Sequence, residues 1–391
     1  MKHWKTYIER QKTEYLHTII PPETAAEIVV VIPCYNEPAL FETLENLCAA
    51  DRPDANVLTV VILNSGVLAG EEVVAQNRIS YEKTNLFAER YNEDSFVFLP
   101  LLFEDLPRKH AGVGLARKIG MDLAVEHFLR NEKPRGIIVS LDADCTVSSN
   151  FLITIWEAFS RDKSLNGTIH DFRHRVEAGS PLTEGAARQY EAYIRYFRSM
   201  LEYTGFPYYW HTIGSAFAVS ADAYVRVGGM GRQQGGEDFY FLQKVFALGN
   251  IRELKDTTVF PMARLSDRVP FGTGPSLQKI VNEPDGNVRA YSKRAFEELK
   301  RLFDMKDGFF GKDTQTVEIM IAGLHPSLLQ FLREIDFLTL VRDCNENSAS
   351  LATFRKRFFH HFNAFRTIKY LNQVHPEPFP YESFATLVDK Y

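Results

Sequence analysis

From Glu27 to about Pro261 the chain alternates between short apolar runs and amphipathic stretches. Short apolar runs predict buried strands, and apolar positions that recur every three or four residues predict helices. The predicted strands are Ile28–Pro33, Val57–Leu63, Ser95–Leu102, Gly136–Leu141, Gly214–Ser220 and Thr257–Pro261. The helical stretches between them include Pro38–Ala49, Gly112–Leu129 and Leu182–Tyr203. This alternation predicts the α/β class, with a mostly parallel, Rossmann-like sheet flanked by helices.

The pattern changes toward both ends of the chain. Ser266–Gly286 is rich in Gly, Pro, Ser and Asp, which predicts a loop and a domain boundary. Beyond it the periodicity is helical, with little strand pattern. We therefore expect an N-terminal helical extension at 1–25, an α/β domain at 26–284 and a C-terminal helical region at 285–391.

Composition excludes several classes of protein. The 391 residues contain 45 Lys and Arg against 50 Asp and Glu, so a net charge of −5 argues against a nucleic-acid-binding protein. No apolar run approaches the ~20 residues that span a bilayer, and Met1–Lys5 lacks the apolar core of a signal peptide. The cysteines have no metal-type spacing, which predicts reduced thiols in a cytoplasmic protein. They are Cys34, Cys48, Cys145 and Cys344.

The strand at Ile137–Leu141 runs directly into two carboxylates, Asp142 and Asp144. Side chains two positions apart leave an extended strand on the same side, so the two acids are expected to face one ligand. Ligands of open α/β sheets bind at the carboxyl ends of the strands. Because two neighbouring carboxylates are costly to desolvate alone, a divalent cation carrying a phosphate is the simplest ligand.

Two further strand ends belong to the same predicted edge. The first strand ends in Pro33, and Tyr35 beyond it can stack on a base while Asn36 or Glu37 can hydrogen-bond a base or ribose. The second strand ends at Asn64, whose amide can both donate to and accept from a base edge. Ordinary turn and helix-cap roles account for the same residues equally well.

Two glycine-containing segments could complete a phosphate site. Lys109–Gly120 combines glycines with a basic helix that carries Arg117, which suits a backbone close to a phosphate, although a loop-to-helix junction has the same pattern. In Gly235–Tyr240 two glycines precede Glu237 and Asp238 at a helix start. The acids could act chemically, or they could cap the helix, which would lower their pKa values.

Taken in order, Val31–Pro38, Asp142–Asp144 and Gly236–Asp238 resemble the motifs of family 2 glycosyltransferases. The resemblance covers about the first two thirds of the chain and implies the GT-A fold for residues 26–284. It also implies inverting transfer of a sugar from a nucleotide diphosphate donor, most often a UDP- or GDP-sugar, with Mn²⁺ or Mg²⁺ as cofactor.

The resemblance implies a role for each matching residue. Asp144 corresponds to the metal-binding acid, and Asp142 lies nearer the ribose or the metal. Pro33 and Tyr35 correspond to base-contacting positions. Asp238 corresponds to the general base, with Glu237 as its support or as an acceptor contact. A late-acting base of this kind works with a pKa near 4, although burial could raise it.

The sequence departs from the family pattern in two places. Asn64 stands where an Asp-containing signature is usual, which changes the expected contact with the donor base. No histidine that could serve as a further metal ligand lies between His211 and His325. The segment from Arg264 to Gly274 occupies the place of a closing loop, and either Arg264 or Arg268 could neutralise the diphosphate. A solvated loop is the alternative.

The residues that would bind the acceptor are predicted from weaker sequence patterns. Tyr209, Trp210 and His211 precede a predicted strand and are candidates for acceptor contacts. In the C-terminal region a row of phenylalanines at helical spacing is surrounded by basic residues. Such a helix could lie on the inner face of an anionic membrane, but packing of its apolar face within the protein, or in a homo-oligomer, is favoured.

Three functions therefore fit the sequence. The first is a metal-dependent, inverting transferase that acts on a carbohydrate or lipid-linked acceptor. The second is a sugar-phosphate nucleotidyltransferase, against which the first strand end lacks a Gly-rich loop bearing Arg and Lys. The third is a catalytically silent nucleotide-sugar-binding or assembly subunit, against which the four acids of the two motifs are intact.

Overall fold

The computed structural model describes residues 2–11, 25–176, 180–265 and 272–383. The strands are β1 Ile28–Cys34, β2 Val57–Gly66, β3 Phe96–Leu106, β4 Ile137–Ser140, β5 Cys145–Val147, β6 Gly167–Phe172, β7 Arg175–Val176, β8 Phe217–Ser220, β9 Ile251–Ala263, β10 Arg289–Ala290 and β11 Glu382–Ser383. The helices are α1 Lys2–Gln11, α2 Leu40–Cys48, α3 Glu71–Tyr91, α4 Val113–Arg130, α5 Phe151–Arg161, α6 Pro181–Tyr203, α7 Ala221–Arg226, α8 Glu237–Leu248, α9 Thr273–Asn282, α10 Lys293–Met305, α11 Thr314–Ile321, α12 Pro326–Glu334, α13 Phe337–Glu346, α14 Leu351–His361 and α15 Ala364–Gln373.

A single twisted sheet organises the first part of the chain. Its strand order over the described residues is β3-β2-β1-β4-β8-β6-β9-β5, with β7 paired to β9. Strands β1 to β4 run parallel, β8 is antiparallel to both of its neighbours, and β9 is again parallel to β6. The predicted α/β class, with a mostly parallel sheet flanked by helices and a C-terminal helical region, is confirmed.

The two faces of β1 are covered by different helices. Ile28, Val30 and Ile32 are fully buried in one cluster with Leu44 of α2 and Ile155 of α5. On the other face α4 comes so close that a Cβ on Gly120 would lie 2.4 Å from Cγ1 of Val31. Burial on both faces explains why β1 and β2 are near-continuous apolar runs rather than alternating ones.

Helix α1 is fixed to α4 and α7 by a buried polar cluster. The Tyr7 hydroxyl donates to Oδ1 of Asp122 at 2.6 Å, and the Tyr224 hydroxyl donates to the same oxygen at 2.7 Å. Lys118 Nζ donates to Oδ2 of Asp122 at 2.8 Å. Since the Asp122 carboxylate is buried, these three donors replace the water it loses on folding.

Removing one of these donors should destabilise the protein. For Tyr7→Phe we expect a loss of about 1.5–3 kcal/mol in the free energy of unfolding, because a hydrogen bond to a buried charge is lost. Asp122 keeps its other two donors, which favours the lower end of that range. Urea unfolding of the wild type and the variant measures the difference.

Tyr370→Phe is the matched control for this prediction. The Tyr370 hydroxyl is also buried but has no hydrogen-bond partner within the described residues. Its removal is expected to be neutral or slightly stabilising, because no bond is broken and an unsatisfied polar group disappears. Equal losses in the two variants would show that the Tyr7 hydroxyl contributes nothing specific.

The chain divides into two compact units that do not follow a single cut in the sequence. The first comprises 1–183 and 212–278, and the second comprises 184–211 and 279–391. The predicted boundaries after residues 25 and 284 remain predictions.

In the second unit, Phe354, Phe358 and Phe362 are fully buried, and Phe303 packs edge-on against the last two. Three members of the phenylalanine row thus pack within the protein, whereas the fourth, Phe365, is 54% exposed.

The loop predicted at Ser266–Gly286 is wrong in part, because α9 lies within it. Pro275 stands in the first turn of α9, where a missing N–H is tolerated, and Leu277 and Ile280 are buried. Burial of these two apolar side chains therefore stabilises a helix despite the Gly and Pro content of the segment.

Among the described residues, none of the helices has the length and apolar character that a bilayer crossing demands.

Candidate active site

The sheet topology brings five chain segments to one edge. The carboxyl ends of β1, β2 and β4 lie there because these strands are parallel. Strand β9 ends at the same edge, directly before Arg264, and the antiparallel strand β8 begins there, shortly after Gly214. Residues far apart in the sequence are thereby collected where α/β sheets bind ligands.

The two acids that follow β4 have different partners. The strand ends at Ser140, so Asp142 and Asp144 lie in the turn beyond it. The sequence interpretation had treated the two acids as a continuation of the extended strand. The turn is closed by a hydrogen bond from the Cys145 N–H to the Asp142 carbonyl at 3.1 Å. Asp142 pairs with Arg117, whereas Asp144 pairs with Arg264.

Arg117 on α4 joins the first acid to the start of α8. Its Nη2 donates to Oδ1 of Asp142 at 2.5 Å, and its Nη1 donates to Oε1 of Glu237. The Arg117 side chain is only 3% exposed and that of Glu237 only 2%. Arg117 thereby holds Glu237 in place next to Asp142, and its predicted contact with the donor stays a prediction.

Asp238 stands beside this pair at the N-terminal end of α8. Burial and the neighbouring Glu237 carboxylate raise the pKa of Asp238 to about 7, although Arg117 opposes the shift. The helix begins after Gly236, which has a left-handed φ of 73° and offers no side-chain cap. The Phe239 N–H donates to Oδ1 of Asp238 at 2.7 Å, as the capping alternative expects, but the pKa of Asp238 is raised and not lowered. Glu237 pairs with Arg117, and Asp238 is suited to exchange a proton near neutral pH.

A close backbone approach explains Gly214. A Cβ at this position would lie 2.9 Å from Oδ2 of Asp238 and 3.0 Å from Nη2 of Arg117. Any side chain here would displace the carboxylate or the guanidinium. Sequence reasoning missed Gly214, because a glycine shortly before a predicted strand has no distinctive pattern.

Arg264 connects the segments that follow β1 and β4. Its Nη2 donates to Oε2 of Glu37 at 2.5 Å and to Oδ2 of Asp144 at 2.8 Å, and its Nη1 donates to Oε1 of Glu37 at 3.1 Å. Burial and the adjacent Asp142 raise the pKa of Asp144, while Arg264 acts against this rise. Arg264 is thus the positive group that pairs with both Glu37 and Asp144. The other arginine predicted to neutralise the diphosphate, Arg268, lies outside the described residues.

The predicted base-binding segments are tied together by asparagines. Asn64 Nδ2 donates to the Cys34 carbonyl at 2.9 Å, and Asn77 of α3 joins the Asn64 carbonyl to the Asn36 N–H. Because a carbonyl can only accept, the Asn64 amide is oriented with Oδ1 away from it, and this buried Oδ1 has no partner among the described residues. Asn77 was not predicted, since a single asparagine within a helix has no local pattern that marks it.

The remaining predicted residues have simple positions. Tyr35 is 42% exposed at the edge, where its ring is accessible to a ligand. Pro33 is buried within β1, which continues for one residue beyond it. Tyr209, Trp210 and His211 belong to the second compact unit, and the rings of Tyr209 and Trp210 stack at 4.8 Å. Their contact with an acceptor remains a prediction.

Neither a protein-family model nor a curated protein sequence matches the chain. Among solved structures, the crystal structure of S. aureus TarS 1–349 in complex with UDP-GlcNAc has 13% identity and a TM-score of 0.42, over 86% of this chain and 91% of that chain. TarS 1–349 alone has 13% identity and a TM-score of 0.40, over 86% and 91%. TarS 1–349 in complex with UDP has 12% identity and a TM-score of 0.40, over 88% and 89%. Similarity at this level assigns neither an activity nor a substrate.

Proposed function

We propose that this protein transfers a sugar from a nucleoside diphosphate sugar to an acceptor hydroxyl, with inversion at the anomeric carbon. The observation that carries the proposal is the meeting of Asp142, Asp144 and the high-pKa carboxyl of Asp238 at one edge of the mostly parallel sheet. The pair after β4 suits a diphosphate with its cation, and Asp238 suits removal of a proton from the acceptor.

Inversion follows from a single displacement. Asp238 would take the proton of the acceptor hydroxyl as that oxygen attacks the anomeric carbon, and the nucleoside diphosphate would leave from the opposite face. Arg117 and Glu237 would act as positioning residues, because they fix the start of α8 and the Asp142 carboxylate without a further role in proton transfer.

The fit of a divalent ion can be judged from the acids of the edge. Within the described residues no group of three or more His, Cys, Asp or Glu side chains is arranged to hold a metal ion. A complete protein cage is not required, since Mg²⁺ is commonly held by one or two carboxylates together with substrate phosphates. Asp142 and Asp144 supply such oxygens, and carboxylate ligands suit Mn²⁺ equally.

Charge balance also favours a cation that arrives with the donor. Five carboxylates of this edge, those of Glu37, Asp142, Asp144, Glu237 and Asp238, interact within the described residues with two guanidinium groups, those of Arg117 and Arg264. An unaccompanied diphosphate would be repelled by this excess of acids. We therefore propose Mn²⁺ or Mg²⁺ as cofactor, and when bound it would neutralise charge on the leaving diphosphate.

The donor base is expected to carry an imino proton. The Oδ1 of Asn64 has no partner among the described residues and can only accept, so, if the buried side chain turns toward the edge, it suits the imino N–H of uracil, thymine or guanine and not the corresponding acceptor nitrogen of cytosine or adenine. We therefore propose a UDP- or GDP-sugar, with Tyr35 and Pro33 near the base and Arg268 near the diphosphate. A carbohydrate or lipid-linked acceptor that contacts Tyr209, Trp210 and His211, and a cytoplasmic location with peripheral membrane contact, complete the proposal.

The donor is tested by thermal stability with UDP, GDP, CDP, ADP and dTDP, each with and without Mn²⁺. A ligand at roughly 100 times its dissociation constant stabilises the fold by about 2.7 kcal/mol. We expect a shift with UDP or GDP that depends on Mn²⁺ and disappears in Asp144→Ala. Exposed Asp54→Ala is the control and should retain the shift.

Other outcomes would favour other functions. Equal shifts with all diphosphates, or none, would contradict the proposed donor site. Release of pyrophosphate from a nucleoside triphosphate would favour the nucleotidyltransferase. Nucleotide binding without sugar transfer to any acceptor, unchanged by Asp238→Asn, would favour the silent binding subunit.

A further inference from the structure

Arg264 and Arg117 both neutralise acids of the candidate site, but they are held differently. Arg117 is almost completely buried between Asp142 and Glu237. The Arg264 side chain is 27% exposed and lies at the end of β9, with Glu37 and Asp144 as its partners. Arg117 is therefore fixed, whereas Arg264 has access to solvent and room to change partners.

Arg264 already occupies a carboxylate oxygen that a divalent ion would use. Its Nη2 lies 2.8 Å from Oδ2 of Asp144, and within the described part of the chain the other oxygen, Oδ1, accepts a weak hydrogen bond from the Cys145 Sγ at 3.6 Å. A divalent ion bound to Asp144 would lie a few ångströms from a positive guanidinium, and the two charges would repel strongly in a partly buried site. The guanidinium and the ion thus compete for Asp144.

We propose that Arg264 is the resident cation of the donor site, and that it prevents a divalent ion from binding to Asp144 until a nucleoside diphosphate draws the guanidinium away. This inference rests on the proposed function and deepens it. In the donor-free protein, Arg264 neutralises Asp144 and Glu37. When the diphosphate arrives, its oxygens offer the guanidinium a bidentate partner, and Asp144 becomes available to the ion.

The exchange gives the guanidinium and Asp144 new partners, while Glu37 gives up its ion pair with Arg264. The diphosphate takes over Arg264, and the ion takes over Asp144. Glu37 retains the N–H of Ala39, which donates to its Oε1 at 2.9 Å. Metal and donor would consequently bind as one unit, and the free protein would have low affinity for the metal alone.

Binding of Mn²⁺ alone, followed by the EPR signal of the free ion, tests this inference without any need for activity. Wild type is expected to bind Mn²⁺ weakly, and Arg264→Met at least about 10-fold more tightly, because the competing charge is gone. Asp144→Asn in the Arg264→Met background should abolish that gain. Arg264→Lys, which keeps the charge, should resemble wild type, and Arg264→Gln is a second neutral variant.

Arg175→Met is the matched control. Its Nη2 donates to the backbone carbonyl of Asp144 at 3.2 Å and its Nη1 pairs with Glu42, so its loss removes a nearby charge without freeing the carboxylate and should raise Mn²⁺ affinity much less than Arg264→Met does. If Arg264→Met and Arg264→Gln both bind Mn²⁺ no more tightly than wild type, Arg264 is only a link between two loops and the inference is wrong. The inference is also wrong if Arg175→Met raises the affinity for Mn²⁺ as much as Arg264→Met does.

The same titration with UDP present separates this inference from the proposed function. We expect UDP to tighten Mn²⁺ binding to wild type by at least about 10-fold and to have a smaller effect in Arg264→Met. An equal effect in both proteins would overturn the exchange of partners. Failure of UDP and GDP to bind at all would count against the proposed function, while the Mn²⁺-only comparison would still decide whether Arg264 competes for Asp144.

Discussion

Asp238→Asn is expected to slow sugar transfer at least about 100-fold, since a positioned general base contributes roughly that much or more. Asparagine has the same size as aspartate, so the close approach of Gly214 is preserved. Binding of the donor should therefore persist, as judged by the thermal shift with UDP and Mn²⁺. Release of UDP from a UDP-sugar in the presence of an acceptor measures the transfer.

The pH dependence gives the same prediction a second readout. Asp238 acts as a base only when ionised, and its pKa is raised to about 7 by burial and by Glu237. Wild-type kcat/KM should therefore rise with pH up to about 7 and level off above it. In Glu237→Gln the raising charge is removed, so the rise should move to lower pH.

Exposed Asp54→Asn is the control for the change of carboxylate to amide, and its activity should equal that of wild type. Retention of more than about a third of the activity in Asp238→Asn would exclude Asp238 as the base, because proton transfer of this kind contributes far more. A pH profile without a rise near neutrality would contradict the assignment of its pKa.

Arg117→Met is expected to reduce the free energy of unfolding by about 3–5 kcal/mol, which is the usual cost of breaking a buried ion pair. Its loss leaves the Glu237 carboxylate, 2% exposed, without its cation. Urea unfolding followed by tryptophan fluorescence measures the change. Two of the three tryptophans, Trp4 and Trp156, lie in the first unit, so unfolding of that unit contributes to the measured signal.

Two further variants make this prediction specific. Arg117→Met combined with Glu237→Gln should recover part of the loss, because a neutral amide is less costly to bury than a carboxylate. Arg135→Met, at an exposed arginine, should stay within about 0.5 kcal/mol of wild type. If the double variant is as unstable as the single one, the buried pair is not the source of the loss.

Local sequence patterns were sufficient to predict the central parallel strands of the sheet. Strands β1, β2 and β4 were found because each is an apolar run buried on both faces, and the rule for parallel strands then grouped Asn64 with Asp142. Strand β6 was missed because it contains Gly167, His170 and Asp171, which mask its burial. Strand β5 has only three residues, too few for any periodicity.

The pairing of charges could not be predicted, because it depends on long-range contacts. Arg117 and Glu237 are separated by 120 positions, and Arg264 and Glu37 by 227. The sequence identified most of these side chains as candidates, yet nothing local indicates which acid accepts from which arginine. The division into compact units is of the same kind, since residues 184–211 join a unit whose other part begins at 279.

The docking of α1 has a consequence for the order of events during synthesis. Tyr7 precedes its acceptor Asp122 by 115 residues, and Tyr224, the second donor to that carboxylate, follows Asp122 by a further 102. At typical translation rates α1 leaves the ribosome on the order of ten to forty seconds before its binding surface is complete. During that interval Trp4 and Tyr7 have no native surface to cover. Helix α1 is therefore synthesised early but docks late, and the first unit reaches its final structure only when distant parts of the chain are in contact.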